Sequence, residues 1–272
     1  MNNIYITGDT HGGNINRFSF NQHPELRELD ETDVMVQLGD TALCWPYESH
    51  KQSQYVLDWL SEQKYTFLFI RGNHDNVDWW ESCPSAKGNE SINLLAGDLR
   101  QARAGGKVYE NIFLVTSAAF LKICGETCLC IGGAESTDAT YTAYPHEKDM
   151  IKFLKKERIG YRVQGLSWWT NEGINISHLQ SLLAYWKRGL ENKQVDFIFS
   201  HQSPAIFCNT IWAALRSDRR FPFYEQSFLD AVYYEFPQAS WFHGHQHLDL
   251  SEPYGGNNNI CCVFESIIKI SE

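Results

Sequence analysis

No stretch of this 272-residue sequence stays apolar long enough to cross a bilayer, which excludes a membrane-spanning helix as a reading. The start, Met1-Asn2-Asn3-Ile4-Tyr5, lacks the basic and apolar segments of a signal peptide, so a cytoplasmic protein is the expectation. Internal repeats, low-complexity tracts and linkers are missing too, and a single domain over residues 1–272 is the simplest organisation. Positive charge is scarce. Twenty-three Lys and Arg stand against 33 Asp and Glu, a formal charge of -10. A chain this acidic is repelled by nucleic acid and by anionic membrane. A small phosphorylated partner, such as a nucleotide, stays compatible because bound divalent cations would reverse the field locally.

Cysteine is also sparse in the sense that matters. Eight in so long a chain are too few for a disulfide scaffold. Most lie in apolar surroundings such as Cys128-Leu129-Cys130-Ile131 and read as reduced thiols packed like small hydrophobes. Cys124, Cys128 and Cys130 have no second CxxC or CxH pair to complete a zinc site.

What is present is an alternation of short apolar runs and helical stretches. Ile4 to Thr7, Val34 to Leu38 and Phe67 to Ile70 read as buried strands, each ended by Gly, Asp or Arg-Gly-Asn. A helix from about Ser49 to Gln63 separates the last two, and this β-α-β order implies a parallel pair. Ile112 to Val115, Ala118 to Cys124 and Thr127 to Ile131 read as adjacent strands in a hairpin-like stretch. Residues 134–175 are irregular, aromatic and polar, with a basic helix near Asp149 to Arg158, and are long enough for a lid or insert. Ser177 to Gly189 reads as a helix capped by Ser177, with Leu179, Leu182, Leu183 and Trp186 on one face. Val195 to Phe199, Trp241-Phe242 and Ile260 to Glu265 complete the strands, with a helix at about Tyr224 to Glu235.

The polar residues fall where those strands end. Gly8-Asp9-Thr10-His11, Gly39-Asp40, Arg71-Gly72-Asn73-His74-Asp75, Ser200-His201 and His243-Gly244-His245-Gln246-His247 each follow an apolar run. In α/β sheets the carboxyl ends of the strands form the ligand crevice, so five segments deliver Asp, His and Asn to one rim. Carboxylate, amide oxygen and neutral imidazole are ligands for manganese, iron, zinc and similar divalent ions. Asp9 with His11, and His245 with His247, have the spacing to grip an ion from one side. A lone carboxylate such as Asp40 can bridge two ions about 3.5–4 Å apart.

In this order, Asp-x-His, Gly-Asp, Gly-Asn-His-Asp, a lone His and Gly-His-x-His resemble the calcineurin-like metallophosphoesterase family, in the manner of its small bacterial and phage members. The resemblance runs from residue 8 to residue 247. Gly-Asn-His-Asp alone should arise by chance in on the order of one in a thousand chains of this length. The resemblance implies an α/β fold, a four-layer α/β/β/α sandwich with two mixed sheets and a dinuclear metal site at the strand C-terminal ends. It implies a first ion on Asp9, His11 and His247, a second on Asn73, His201 and His245, and Asp40 between them. The ions would be manganese first, with iron, zinc or nickel as alternatives. The implied reaction is hydrolysis of a phosphomonoester or phosphodiester by a metal-bridging hydroxide, with His74 facing the leaving oxygen. In the protein-phosphatase branch the arginine matching Arg71 contacts the phosphate. One position departs from the pattern: Leu43 stands where the family often carries the Asp or His that orients the histidine matching His74. A non-catalytic scaffold on the same fold would lack ligands that are all present here, and a nuclease would favour a basic groove that is not.

Other residues have blander readings. Asp75 is expected to cap a helix including Val77 to Glu81. His243 could stand behind the ligand pair or be merely packed or solvated, and His23, His50, His146 and His178 are expected at the surface. Trp79-Trp80 and Trp168-Trp169 read as core or lid before they read as a base-stacking platform. Lys152, Lys155, Lys156, Arg158 and Arg162 make a basic run that usually marks a solvated helix face. The stretches Gly132-Gly133-Ala134-Glu135-Ser136 and Trp168-Trp169-Thr170-Asn171-Glu172 look like small bacterial and phage members of the family, which suggests that the intervening segment frames the site.

Overall fold

Short runs of Ile, Val, Leu and Phe broken by Gly and Asp cannot propagate helices and are long enough only for single strands. The computed structural model describes residues 2–12, 15–44, 50–136, 140–189, 194–207, 224–250 and 260–270. Its early strands are β1 (Ile4–Thr7), β2 (Val34–Gln37), β3 (Thr66–Ile70), β4 (Ile92–Gly97), β5 (Arg100–Ala104), β6 (Lys107–Val115), β7 (Ala118–Ile123) and β8 (Glu126–Ile131). Then come β9 (Tyr141–Ala143), β10 (Tyr161–Val163), β11 (Phe197–Ser200), β12 (Ser240–His243), β13 (Ile260–Cys262) and β14 (Ile268–Lys269). The α-helices described over their full span are α1 (His50–Ser61), α2 (Val77–Ser82), α3 (Lys148–Lys156), α4 (Ile176–Gly189) and α5 (Tyr224–Glu235).

Two six-stranded mixed sheets result, in the orders β14-β1-β2-β3-β6-β5 and β13-β12-β11-β8-β7-β4. Each has a block of four parallel strands, flanked by antiparallel strands on both sides in the first sheet and on one side, at β7, in the second. The β2–β3 pair is parallel, as the β-α-β order requires.

Alternation along the strands decides what each face meets. Ile4 and Ile6, Val34 and Val36, Leu68 and Ile70 join Ala119, Leu121, Cys128, Cys130 and Phe199 of the second sheet in one buried cluster. Met35, Phe67, Phe69, Ile112 and Leu114 point the other way and pack with Leu57 and Leu60 of α1. Phe120, Leu129, Ile131, Ile198 and Trp241 pack with Leu179, Leu182 and Trp186 of α4 and with Leu229 and Val232 of α5. Fully burying a side chain of this size contributes roughly 1.5–3 kcal/mol, which is why the two-residue period is so strongly specified.

Three local expectations are corrected. Ile112 to Val115 is not a hairpin partner of Ala118 to Cys124: β6 pairs parallel with β3, and the chain passes to the other sheet through Thr116-Ser117. Of the three expected runs, β7 and β8 form a hairpin, whereas β6 forms one with β5. The α4 cap is Asn175, whose Oδ1 accepts from His178 N at 3.1 Å, rather than Ser177. Asn76, not Asp75, caps α2 by accepting from Trp79 N. The start of the expected helix at Ser49, and Cys208, lie outside the described residues. The described cysteines are free, and burial pushes the Cys124 thiol up to about 12.

Within residues 140–175, β9 and β10 pair in parallel and pack with α3 around Ala143, Leu154 and Val163. Among the described residues no helix is long and apolar enough to cross a membrane.

Candidate metal centre

The rim is built where parallel strands end. Gln37, buried at the end of β2, ties the first two loops together: its Nε2 donates to Gly8 O at 3.0 Å and also to Gly39 O. Below them the buried Arg17 donates to Thr7 Oγ1, Gly8 O and Phe264 O at 2.6–3.2 Å. Space is short. A Cβ at Gly39 would strike the His201 ring, and one at Gly72 would strike the Asp40 carboxylate. Four expected ligand positions take left-handed backbone: His11 (φ 46°), Asp40 (φ 54°), His245 (φ 68°) and His247 (φ 52°). Strain of roughly 1–3 kcal/mol per such residue persists only where its surroundings enforce it, and it concentrates at functional sites.

Two groups of donor atoms form. In the first, Asp9, His11 and His247 converge: His247 Nε2 lies 3.1 Å from Asp9 Oδ2 and 2.9 Å from His11 Nε2. In the second, Asp40, His201 and His245 converge: His201 Nε2 lies 3.4 Å from Asp40 Oδ1 and 3.1 Å from His245 Nδ1. Asn73 adds its Oδ1, 3.0 Å from His201 Nε2. Asp40 reaches both groups, with Oδ1 toward His201 and Oδ2 3.9 Å from His11 Nδ1.

The donors are aimed. Leu38 O accepts from His201 Nδ1 at 2.7 Å, which leaves Nε2 to face the second group. His74 N donates to Asp40 Oδ1 at 2.7 Å, and His245 N donates to Asp9 Oδ1 at 3.0 Å. Asp40 Oδ2 is buried with no hydrogen-bond partner. Burial alone would raise the Asp40 carboxyl, but the surrounding His201, His74 and His11 hold it well below the usual carboxylate range. Burial would lower His201, yet Asp40 and Asp9 raise it to about 9, the mark of a spot that favours positive charge. Burial, then the charge of His201, lowers His245 to about 3, so this imidazole is neutral and able to ligate. Converging carboxylates, imidazoles and an amide oxygen, with a buried lone pair left unused, fit a pair of divalent cations.

A model of the calcineurin-like phosphoesterase family matches residues 3–249. The chain belongs to that family. Calcineurin-like phosphoesterases are metal-dependent hydrolases, and the two ligand groups are the places where such a chain would hold its metals. No curated protein matches the sequence. One solved structure, a protein of unknown function from Aquifex aeolicus, is 16% identical with a TM-score of 0.25, over 65% of this chain and 86% of that one.

Arg71 faces inward in this structure. It is buried, and its guanidinium donates inward to four carbonyls: Thr116 O at 2.6 Å, Asn171 O at 3.1 Å, and Glu172 O and Gly173 O at 3.0 Å. Another arginine faces the rim. Arg162, on β10, places its guanidinium 3.0 Å from His74 Nε2. A guanidinium has donors only, so Nε2 presents its lone pair there. The sequence carried Arg162 only as the last of a basic run, and nothing local tied it to His74, 88 residues away.

Asp75 does not touch His74 in its carboxylate bonds. It accepts from Thr41 Oγ1, Ala42 N and Gly72 N at 2.7–2.9 Å, which locks the loop carrying Asp40 to the loop carrying Asn73. Leu43 is buried in the apolar cluster under α1. His243 is fully buried rather than solvated, and burial lowers it to about 4. His178 is not a free surface group either, since its Nδ1 meets Ser117 Oγ at 2.7 Å. Trp80 and Trp169 are core residues, with Trp169 Nε1 donating to Asp78 Oδ2.

Proposed function

We propose that this protein hydrolyses a small phosphomonoester or phosphodiester, with two divalent cations held by Asp9, His11 and His247 on one side and Asn73, His201 and His245 on the other. Asp40 serves both. The observation that carries the reading is the double use of Asp40, whose two oxygens face different donor groups while one of them lacks any hydrogen-bond partner. When bound, the cations would supply Lewis acidity toward the phosphoryl oxygens and a nucleophile from water at neutral pH. Manganese is the first candidate, with iron, zinc or nickel also suited to this donor set.

The chain's own residues supply the rest. His74 is held by its main-chain bond to Asp40, and its imidazole is the group we assign to carry a proton to the leaving oxygen. Arg162 meets the same imidazole, so a phosphate arriving at the rim would find guanidinium donors for its oxygens beside it.

The test is a panel of p-nitrophenyl phosphate, its bis-ester, cyclic nucleotides and dinucleoside polyphosphates on metal-reconstituted protein. We expect turnover that depends on added manganese and disappears in Asp40→Asn. His74→Ala should keep both metals and fail on esters with poor leaving groups. Full activity after exhaustive metal removal would end the proposal.

A further inference from the structure

Asn73 can serve a cation only if its amide is turned the right way. Its Oδ1 and Nδ2 are nearly equal in size, and a flip would point a donor at the second ligand group. Something must set the orientation. In this structure Asn73 Nδ2 donates to Ser136 Oγ at 3.0 Å, which leaves Oδ1 facing His201 Nε2 at 3.0 Å.

Ser136 is itself fixed. Its backbone N donates to Glu172 Oε1 at 2.7 Å. Glu172 is 4% exposed, and its carbonyl is held by two donors, Ala134 N at 3.2 Å and Arg71 Nη1 at 3.0 Å. The neighbouring loop is fastened as well, because Glu225 of α5 accepts from Glu135 N and Ile174 N. So the stretches 132–136 and 171–174, far apart in sequence, form one braced platform beside Asn73.

We infer that Ser136, held by Glu172, is the positioning residue that turns the Asn73 amide oxygen toward the second cation. The inference rests on the proposed two-cation reading and deepens it. It is also asymmetric: among the described residues, neither Ser136 nor Glu172 has a hydrogen bond or ion pair to Asp9, His11 or His247. Losing the serine hydroxyl should therefore weaken one of two binding events and spare the other. Groups that orient a metal ligand typically change affinity 10–100-fold when removed.

The experiment titrates manganese alone into metal-stripped protein by calorimetry and compares the intact chain with Ser136→Ala and Ser136→Thr. Thermal unfolding of the stripped proteins runs alongside. We expect two sites in the intact chain, one site about 10–100-fold weaker in Ser136→Ala, and recovery in Ser136→Thr, which keeps an oxygen acceptor. The stripped Ser136→Ala protein should melt with the intact one. Two unchanged sites in Ser136→Ala would overturn the inference and leave the two-cation reading standing. So would equal weakening of both sites, or no rescue by threonine. Failure of the intact chain to bind manganese would sink the two-cation reading itself and the inference with it.

Discussion

Replacing Arg71 with alanine separates two roles for that side chain. Its guanidinium is buried and makes four hydrogen bonds, all to carbonyl oxygens. A hydrogen bond to a charged group contributes about 1.5–3 kcal/mol, but four on one side chain are not additive. Removing one partner of a buried charged network costs about 3–5 kcal/mol, and that is the better measure. The truncation also takes positive charge away from Asp75, Glu172 and Glu225, each of which interacts electrostatically with Arg71. For a domain of this size, about 2–4 °C is lost per kcal/mol, so Arg71→Ala should melt about 6–20 °C below the intact chain. Arg71→Lys should recover only part, because an ammonium cannot reach four carbonyls with a planar fork. Thermal unfolding followed by circular dichroism reads the shift, and initial-rate kinetics below the melt reads KM. A variant that melts within a degree or so of the intact protein, yet shows a large rise in KM, would refute the argument and return Arg71 to the phosphate.

Arg162→Ala should raise KM for a phosphomonoester by roughly tenfold or more, the value of one charge-assisted hydrogen bond, while elemental analysis finds the metals still bound. Unchanged KM would remove Arg162 from the substrate. Stripping the metals should lower the melting temperature: each site saturated at about 100 times its Kd adds about 2.7 kcal/mol, so two sites correspond to about 10–20 °C. A melt indifferent to chelator and to manganese would contradict the ligand assignment. Burial raises the Glu225 carboxyl from 4.5 to about 7. A raised carboxyl pKa stabilises the fold most below the unfolded value, and that contribution is lost as pH rises from about 4.5 through about 7. Glu225→Gln removes the titration, so its stability relative to the intact chain should improve across that window in urea unfolding; a pH-independent difference would show that Glu225 is not shifted.

The ligand-bearing loops were legible because the code is local there. A four- or five-residue apolar run followed at once by Gly-Asp or Gly-Asn-His-Asp announces both a strand end and the donors it carries. The α5 span of Tyr224–Glu235 was legible for a similar reason, a polar-apolar period uninterrupted by Gly or Pro. β4 and β5 were not, since their mixed burial gives no clean alternation, even though β5 pairs with the next strand across Gly105-Gly106. The inward bonds of Arg71 were not legible because its acceptors are backbone carbonyls as far as 102 residues away, and a carbonyl leaves no mark on composition. Ser136 and Glu172 sat inside stretches that looked distinctive, but their meaning depends on a contact between positions 36 apart in sequence. The cap of α4 failed on a finer point: Asn175 and Ser177 are both capping types two positions apart, and only geometry chooses.

The crossing at Thr116-Ser117 divides the donors between the sheets. Asp9, His11, Asp40 and Asn73 ride on the first sheet, and His201, His245 and His247 on the second, so each group needs both. An ion in either group would act as a rivet through the seam. It follows that a nascent chain has no complete cage until residue 247 has been made and the second sheet has closed on the first. Cation capture would then report the last stage of assembly rather than seed the first.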